Sequence, residues 1–224
     1  AVGRLNEERD TVIVSSVARA CAEAGCALVG GETAEHPGVM ADDAVDLAGA
    51  AVGVVEEGEE LGPRRVEAGD LVVGLRSPNL RSNGFSLVRE VFADGDLSDL
   101  FPEEGTSVGE VLMRPSVVYS PTVLAAAATG GVRSAAHITG GGLTENLERS
   151  VPAGLQAVVD HWSWEWPNVF TQVQRRGGIS VEEMRSTFNL GIGFCLIVDP
   201  DHLDPVLEAV SVHDPTTIGR IQPA

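Results

Sequence analysis

Hydrophobic residues near the start of the chain recur at three- to four-residue intervals, the period of an amphipathic helix. The pattern predicts a helix over residues 7–24, with Asn6 as N-cap and Gly25 as C-terminal stop. Residues 26–29 then form a short apolar segment that predicts a strand. Residues 44–55 are almost continuously apolar, which is typical of a strand buried on both faces.

Beyond residue 66, short apolar runs alternate with helical patterns. Strands are predicted at residues 70–75, 134–138, 156–160, 193–198 and 217–221. Helices are predicted at residues 85–92, 121–129, 143–149, 167–176, 181–186 and 202–212. Alternation of this kind indicates an α/β or α+β fold, and we expect two layers.

A charged segment with Gly58, Gly62 and Pro63 separates the two parts of the chain. It is the best candidate domain boundary, at about residues 56–66. The sequence therefore predicts a first domain over residues 1–58 and a second over residues 66–224. A solvated hairpin within a single domain is the alternative.

Composition narrows the choice of partners. The net charge is −18, and all 15 basic residues are arginine. An acidic surface repels nucleic acid and anionic membranes, so we expect neither as a partner. No apolar run approaches the ~20 residues of a membrane span. The three cysteines, Cys21, Cys26 and Cys195, are predicted to be free in a reducing cytosol, with Cys21 and Cys26 as packed thiols. A disulfide between Cys21 and Cys26 is the alternative.

The segment Gly30-Gly31-Glu32-Thr33 passes from an apolar run into glycine, carboxylate and hydroxyl. Paired glycines let a backbone approach a ligand closely. A carboxylate and a hydroxyl directly after them can hold a hard cation and a phosphate oxygen. A tight turn with solvated acids is the alternative reading of this loop, which extends to Pro37.

Two further loops, residues 77–86 and 137–146, lead from a predicted strand into a predicted helix. Helix N-termini receive anions because their first N–H groups are unpaired. Ser82 and Asn83 lie beside Gly84, and Thr139 precedes three glycines. Ordinary helix capping is enough to explain the polar residues of any one of these loops taken alone. Three in one chain favour a phosphorylated or polyphosphate substrate, while the absence of lysine excludes a P-loop. Trp162, Trp164 and Trp166 alternate and are expected to pack as core rather than stack on a ligand.

Four segments resemble the phosphoribosylformylglycinamidine cyclo-ligase family, also called AIR synthetases. They are AGCALVGGETAE at 24–35, SNGFSLVR at 82–89, HITGGGLTEN at 137–146 and TFNLGIG at 187–193. They occur in the family's order, and the resemblance covers nearly the whole chain. The first domain would then be the last part of an ATP-binding, dimerising N-terminal domain, and the second a complete C-terminal α/β domain.

The resemblance implies an ATP- and Mg²⁺-dependent enzyme of purine biosynthesis. Formylglycinamidine ribonucleotide would be closed to aminoimidazole ribonucleotide, with ADP and phosphate as co-products. We expect the protein to be cytoplasmic and to act on a small molecule. The resemblance further implies dimerisation through the N-terminal domain and a site in the cleft between the domains. The chain lacks an initiator Met and the family's aspartate-rich N-terminal segment. We therefore expect a piece of a longer protein, inactive by itself and homodimeric at full length.

Site residues follow from the same resemblance. Glu32 would be the magnesium ligand, and His137, Arg81 and Asn83 the catalytic residues. Groups that would bind substrate or phosphate are Gly30, Gly31, Thr33, Ser82, Gly84, Thr139, Gly140, Gly141, Gly142 and Asn189. His137 would donate to a developing oxyanion, although a hydrogen-bonded strand-end histidine is the alternative. Asn189 would contact substrate or only cap its turn.

Arg81 departs from the family, where most members carry histidine before Ser-Asn-Gly. Arginine stays charged at working pH, so it suits phosphate binding better than proton transfer. Two other functions stay open. A thiamine-phosphate kinase or hydrogenase-maturation type of relative should carry an acidic residue near Gly141, which this chain lacks. A non-catalytic paralogue is supported by Arg81 alone.

Overall fold

The computed structural model describes residues 1–160 and 162–224. It divides into two compact units, Ala1–Glu60 and Leu61–Ala224. None of the helices in the described residues combines the length and the apolar character that crossing a membrane requires.

The first unit contains one helix, α1, over Glu7–Glu23, as the hydrophobic period predicts. Its N-cap is Asn6, whose side-chain oxygen accepts a hydrogen bond of 3.0 Å from the Arg9 backbone N–H. Such a bond satisfies one of the free donors of the first turn. The helix ends as predicted, with Gly25 in the left-handed region at φ +72°. None of its residues is buried.

The two strands predicted in the first unit are wrong. Residues 26–29 and 44–55 form no strand, and the pairing in this part is limited to isolated bridges such as Val2 with Glu35 and Val2 with Val45. Val52 and Val54 are 99% and 102% exposed, so the second run is not buried on either face. An apolar run becomes a strand only where a neighbouring backbone pairs with it, and the described residues here supply no such ladder.

The thiols of the first unit also differ from expectation. Cys21 and Cys26 are free, as predicted, but Cys26 is exposed rather than packed and Cys21 is only half-buried. Cys195 is buried in the second unit, where burial raises its pKa.

The second unit is built on a five-stranded sheet, and every predicted strand is confirmed with small shifts at its ends. The strands are β1 Leu71–Arg76, β2 Val132–His137, β3 Leu155–Val159, β4 Ile192–Val198 and β5 Thr216–Pro223. Their order is β2-β4-β1-β5-β3, and all neighbouring pairs are antiparallel.

Seven helices accompany the described part of this sheet. They are α2 Phe85–Val91, α3 Val108–Leu112, α4 Ser120–Ala127, α5 Gly142–Glu148, α6 Asn168–Gly177, α7 Val181–Thr187 and α8 Leu203–Ala209. The predicted helix over 202–212 is shorter, because 3₁₀ turns at Pro200–His202 and Ser211–His213 flank α8. Helix α3 is absent from the sequence prediction.

Helices cover both faces of the sheet, so the two-layer prediction is wrong. On one face, Cys195 and Ile197 of β4 pack with Leu143 of α5. On the other face, Leu196 of β4 packs with Val206 of α8. The central strands are apolar on both sides, and each side requires a covering layer.

A third cluster joins α2, α3, α6 and α7 around Phe101, Phe170 and Phe188. Trp162 and Trp166 are partly buried against this cluster, and Trp164 packs against the sheet cluster. The tryptophans therefore pack as core, as predicted, although the segment that carries them is not a strand.

Candidate functional site

Three loops of the second unit lie at the same end of the sheet. Strand β4 lies between β1 and β2 and runs antiparallel to both, with Arg76 opposite Ile192 and His137 opposite Phe194. The ends of β1 and β2 therefore meet the beginning of β4. This register gathers the loops that follow Arg76 and His137 and the loop that precedes Ile192.

Arg81 links the first of these loops to the second. One terminal nitrogen, Nη2, contacts Nε2 of the His137 ring. The guanidinium lies over the Tyr119 ring, 5.4 Å from its centroid. The other terminal nitrogen, Nη1, is buried without a hydrogen-bond partner. Arg81 also has a left-handed backbone at φ +65°. That conformation costs roughly 1–2 kcal/mol for a residue with a β-carbon, so the surrounding structure must hold it in place.

Tyr119 forms the floor under Arg81. Its hydroxyl donates a hydrogen bond of 2.7 Å to the Arg76 carbonyl at the end of β1. A β-carbon on Gly193 would lie 2.4 Å from that hydroxyl and 3.2 Å from Nη1 of Arg81. Glycine at 193 therefore makes the room in which Tyr119 and Arg81 pack.

His137 ends β2 with its ring beside Phe194, at 6.1 Å between ring centroids. Partial burial lowers the pKa of His137, and the positive charge of Arg81 lowers this pKa further. Burial also lowers the pKa of Arg81. Arginine nevertheless keeps its charge in proteins. His137 is therefore biased toward the neutral imidazole.

The glycine loop after β2 is held by Asn146, a buried side chain of α5. Its amide nitrogen donates to the carbonyl of Gly142 at 2.6 Å and to that of Gly140 at 3.3 Å. Its oxygen accepts a hydrogen bond of 3.3 Å from the Thr139 hydroxyl. Sequence reasoning missed this role, although Asn146 stands seven residues after Thr139 in the same motif.

The glycines of this loop serve different purposes. Gly141 and Gly142 have left-handed backbones, at φ +93° and +62°. A β-carbon on Gly142 would lie 1.7 Å from the Arg185 carbonyl oxygen, so packing against another backbone already requires glycine there. No neighbouring atom lies within 4 Å of the corresponding position on Gly140. Gly140 is therefore the glycine of this loop that packing leaves open.

The loop after β1 is tied to the loop before β4. The Asn83 amide nitrogen donates a hydrogen bond of 2.6 Å to the Thr187 carbonyl. Gly84 begins α2 with a left-handed backbone at φ +76°, and a β-carbon there would lie 2.3 Å from the Phe188 ring. Ser82 is exposed beside them.

Asn189 has a different place from the one expected of a substrate ligand. It is fully buried. Its amide nitrogen donates to the Asn79 carbonyl at 3.1 Å, and its oxygen accepts from the Gly191 N–H at 2.8 Å. Both ends of the side chain are used by the protein's own backbone. Asn189 therefore holds the loops around residues 79 and 191 and offers nothing to a substrate in this conformation.

The first glycine loop belongs to the first unit. Gly30, Gly31, Glu32 and Thr33 line an open groove of about 490 Å³ beside α1. Most of the other lining residues are apolar: Ile13, Val14, Val17, Leu28, Val29, Val45 and Leu47. The acidic residues Asp10 and Asp46 also line the groove. Carboxylates repel a bare phosphate, so an anion would enter only with a cation.

The described residues do not form a site in which protein side chains alone could hold a metal. They contain no group of three or more histidine, cysteine, aspartate or glutamate side chains that could hold one. Glu32 is exposed and offers a single carboxylate. Mg²⁺ often takes only one or two carboxylates from a protein and the rest of its ligands from phosphate and water. Glu32 therefore suits a cation carried by a phosphorylated ligand.

Comparison with known families matches both units. The family model described as AIR synthase related protein, N-terminal domain, matches residues 1–55. The model described as AIR synthase related protein, C-terminal domain, matches residues 67–224.

Two curated relatives are named phosphoribosylformylglycinamidine cyclo-ligase. The protein from Desulfitobacterium hafniense (strain DSM 10664 / DCB-2) is 45% identical over 204 residues, which cover 91% of this chain and 60% of the relative. The protein from Bacillus subtilis (strain 168) is 42% identical over 227 residues, which cover 99% and 66%. The chain thus spans about three-fifths to two-thirds of the length of these relatives.

Among solved structures, the chain is similar to E. coli HypE, a hydrogenase maturation protein. The TM-score is 0.64 at 18% identity, over 98% of this chain and 64% of that one. This likeness shows a shared fold. The two family models together account for nearly all of the sequence, and on that basis the chain belongs to the AIR synthase related proteins.

Proposed function

We propose that this chain forms part of an enzyme that closes formylglycinamidine ribonucleotide to aminoimidazole ribonucleotide in purine biosynthesis, with hydrolysis of ATP to ADP and phosphate. The observation that carries the proposal is the identity of 42–45% to proteins named as this cyclo-ligase over at least nine-tenths of the chain. The contact between Arg81 and His137 supports it, because it brings the residue directly before the motif at 82–89 against the start of the motif at 137–146.

The proposed reaction transfers the γ-phosphoryl group to the formyl oxygen. A substrate nitrogen then attacks the activated carbon, the ring closes and phosphate leaves. Positioning and charge stabilisation dominate such chemistry. In this proposal His137 donates a hydrogen bond to the reacting oxygen, Arg81 orients His137, and the oxygen of the Asn83 amide orients the substrate.

Phosphate binding is assigned to main-chain N–H groups and hydroxyls. The groups proposed in the second unit are Ser82, Gly84, Thr139, Gly140, Gly141 and Gly142. Gly140 is the strongest candidate of these for phosphate binding, because packing does not account for glycine at this position. Asn189 is withdrawn from this set and is proposed to support the loops.

ATP is assigned to the first unit through Gly30, Gly31 and Thr33, with Glu32 as one ligand of a nucleotide-bound Mg²⁺. The metal would neutralise phosphate charge when bound. The acidic lining of the groove supports entry of the nucleotide with its cation rather than as a free anion.

The test is conversion of formylglycinamidine ribonucleotide by this chain joined to the N-terminal segment of the Bacillus subtilis relative that the chain does not cover. We expect equal amounts of ADP and aminoimidazole ribonucleotide, and no turnover by the chain alone. Release of ADP without the imidazole would favour another ATP-dependent member of the superfamily. Tight substrate binding without turnover would favour a non-catalytic paralogue.

We further propose that the enzyme works in the cytoplasm as a homodimer on small molecules, without nucleic acid or membrane partners. The net charge of −18 supports the last point, because it opposes binding to polyanions. Light scattering on the joined protein tests the dimer, and a monomer at micromolar concentration would contradict it.

A further inference from the structure

The contact between Arg81 and His137 has a chemical consequence that follows from the two side chains alone. A guanidinium group has five N–H donors and no acceptor. A neutral imidazole has one donor nitrogen and one acceptor nitrogen. Because Nη2 of Arg81 contacts Nε2 of His137, Nε2 must be the acceptor. The ring proton then has to reside on Nδ1.

Arg81 cannot easily leave this position. Its guanidinium is stacked over Tyr119 at 5.4 Å, and Nη1 is buried. The Tyr119 hydroxyl already donates a hydrogen bond to the Arg76 carbonyl, and this bond fixes the ring over which Arg81 lies. A left-handed backbone at Arg81 adds a constraint from the loop itself. The donor that faces His137 is therefore held from several sides.

In the part of the chain that the structure describes, the other side chains around His137 and Tyr119 do not pair with the His137 ring nitrogens. Strand β4 contributes Phe194, which has no polar atom in its side chain. His213 packs edge-on against Tyr119, at 4.8 Å between ring centroids, and its Nε2 is paired with the Thr122 hydroxyl at 2.8 Å. Arg76 is turned toward Asp214, at 3.9 Å between Nε and Oδ2. Among residues 1–160 and 162–224, Arg81 is thus the charged group that contacts the ring.

We propose that Arg81 is a positioning residue that holds His137 as the neutral Nδ1–H tautomer, so that Nδ1 is a fixed donor for an anionic or carbonyl oxygen of the substrate. Nε2 is occupied and does not act as a base. Which substrate oxygen is bound rests on the proposed function. The position of the proton rests only on the contact between the two side chains.

The test is the ¹⁵N spectrum of the histidine rings in the whole chain of 224 residues, recorded near pH 8 after ¹⁵N-histidine labelling. We expect a pyrrole-type resonance for Nδ1 of His137 and a pyridine-type resonance for Nε2. His137→Gln identifies the signals. An Nε2–H ring in the unaltered protein would overturn the inference without any change to Arg81.

Two variants separate the donor from the fold. In Arg81→Met we expect the proton to move to Nε2, which neutral histidine favours in water, and the pKa of His137 to rise because the cationic neighbour is gone. In Arg81→Lys, which also only donates, we expect Nδ1–H to persist. His202, which is paired with Asp199 at 3.3 Å, should stay unchanged in both and serves as the internal control. An unaltered His137 spectrum in a folded Arg81→Met protein would contradict the proposal.

Activity of the joined enzyme supplies an independent measurement. Arg81→Met should lower kcat by about 100-fold, the lower end of the loss caused by removing one hydrogen-bond donor to an oxyanion. It should also shift the acid limb of the kcat/KM profile to higher pH, and Arg81→Lys should recover part of the loss. Loss of activity with an unchanged tautomer would refute this inference and leave the proposed function standing. An Nδ1–H ring in an enzyme without cyclo-ligase activity would support this inference and refute the proposed function.

Discussion

Gly142 shows how one residue can serve a motif and the packing beneath it. The glycine run after β2 suggests phosphate binding, yet Gly142 is constrained by the Arg185 carbonyl, 1.7 Å from where its β-carbon would stand. Its left-handed backbone adds to the requirement. Gly140 has neither constraint. Within one motif, therefore, glycine at 142 is explained by structure and glycine at 140 is left for ligand binding.

Gly142→Ala is predicted to destabilise the second unit by about 2–4 kcal/mol, from left-handed strain and overpacking against a backbone. Denaturant unfolding measures this free energy. Gly140→Ala is the matched control and should stay within about 0.5 kcal/mol of the unaltered protein, as surface substitutions do. Equal destabilisation by both changes would mean that the Arg185 contact has no special weight.

At the scale of elements, local chemistry at helix ends decides where short helices form. Helix α3 has only five residues, but a complete capping box starts it. The Ser107 hydroxyl accepts from the Glu110 N–H, and the Glu110 carboxylate accepts from the Ser107 N–H at 3.0 Å. Its apolar side chains, such as Val111, then reach the helical cluster. The Ser-x-x-Glu signal of this cap is present in the sequence, within a stretch of acidic residues that has no long apolar period.

Glu110 makes this cap dependent on pH. Hydrogen bonds from Thr106 and from the backbone and hydroxyl of Ser107 lower the pKa of Glu110 to about 2. A carboxyl group with a lowered folded pKa stabilises above its unfolded pKa, and the contribution is lost as pH falls toward the folded pKa. We predict that Glu110→Gln reduces the loss of stability between about pH 4.5 and pH 2.

Unfolding curves across that pH range measure the difference. Glu182→Gln, at an exposed position of α7, serves as the comparison. Its unfolding free energy should depend on pH more nearly as that of the unaltered protein does. If the stability of the Glu110→Gln protein depended on pH in the same way as that of the unaltered protein, the capping box would not be what stabilises α3.

Helix α7 supplies a second test at this scale, because its backbone supports the glycine loop through Arg185. The Ser180 hydroxyl caps it by accepting from the Glu183 N–H at 3.1 Å. Ser180→Ala is predicted to cost about 1 kcal/mol of unfolding free energy. Ser180→Asp keeps an acceptor at the same place and should retain most of that stability. A fully stable Ser180→Ala protein would count against the cap.

At the scale of the whole molecule, the two units differ in how they are stabilised. The three buried hydrophobic clusters lie in the second unit, together with all five strands. In the first unit, Val2 is the only buried hydrophobic residue of those that the structure describes. Burial of apolar surface is the main stabilising contribution to folding, so the second unit should supply most of the stability.

We therefore predict that residues 61–224 alone fold cooperatively, with a Tm within about 4 °C of that of the whole chain, the shift that ~1 kcal/mol or less would cause at this size. Residues 1–60 alone should give no cooperative transition. Calorimetry of the two pieces tests both statements. A second unit that melts far below the whole chain would show that the first unit contributes substantially to its stability.

Much of the second unit could be predicted from local patterns. Its strands and most of its helices follow from apolar periodicity and glycine, because each strand meets its partners within the same unit. The apolar run at residues 44–55 has an equally strong pattern and forms no strand. The pattern describes what a segment can bury, but a ladder also needs a neighbouring backbone.

The sequence by itself determined the family-specific motifs, the alternation of elements and the residues at the ends of β1 and β2. Only the tertiary structure decided what those residues do. It paired Arg81 with His137, placed Tyr119 beneath Arg81 and turned Asn189 inward to hold two loops. The antiparallel position of β4 between β1 and β2 is the physical reason. It joins segments more than fifty residues apart, and no local pattern contains that pairing.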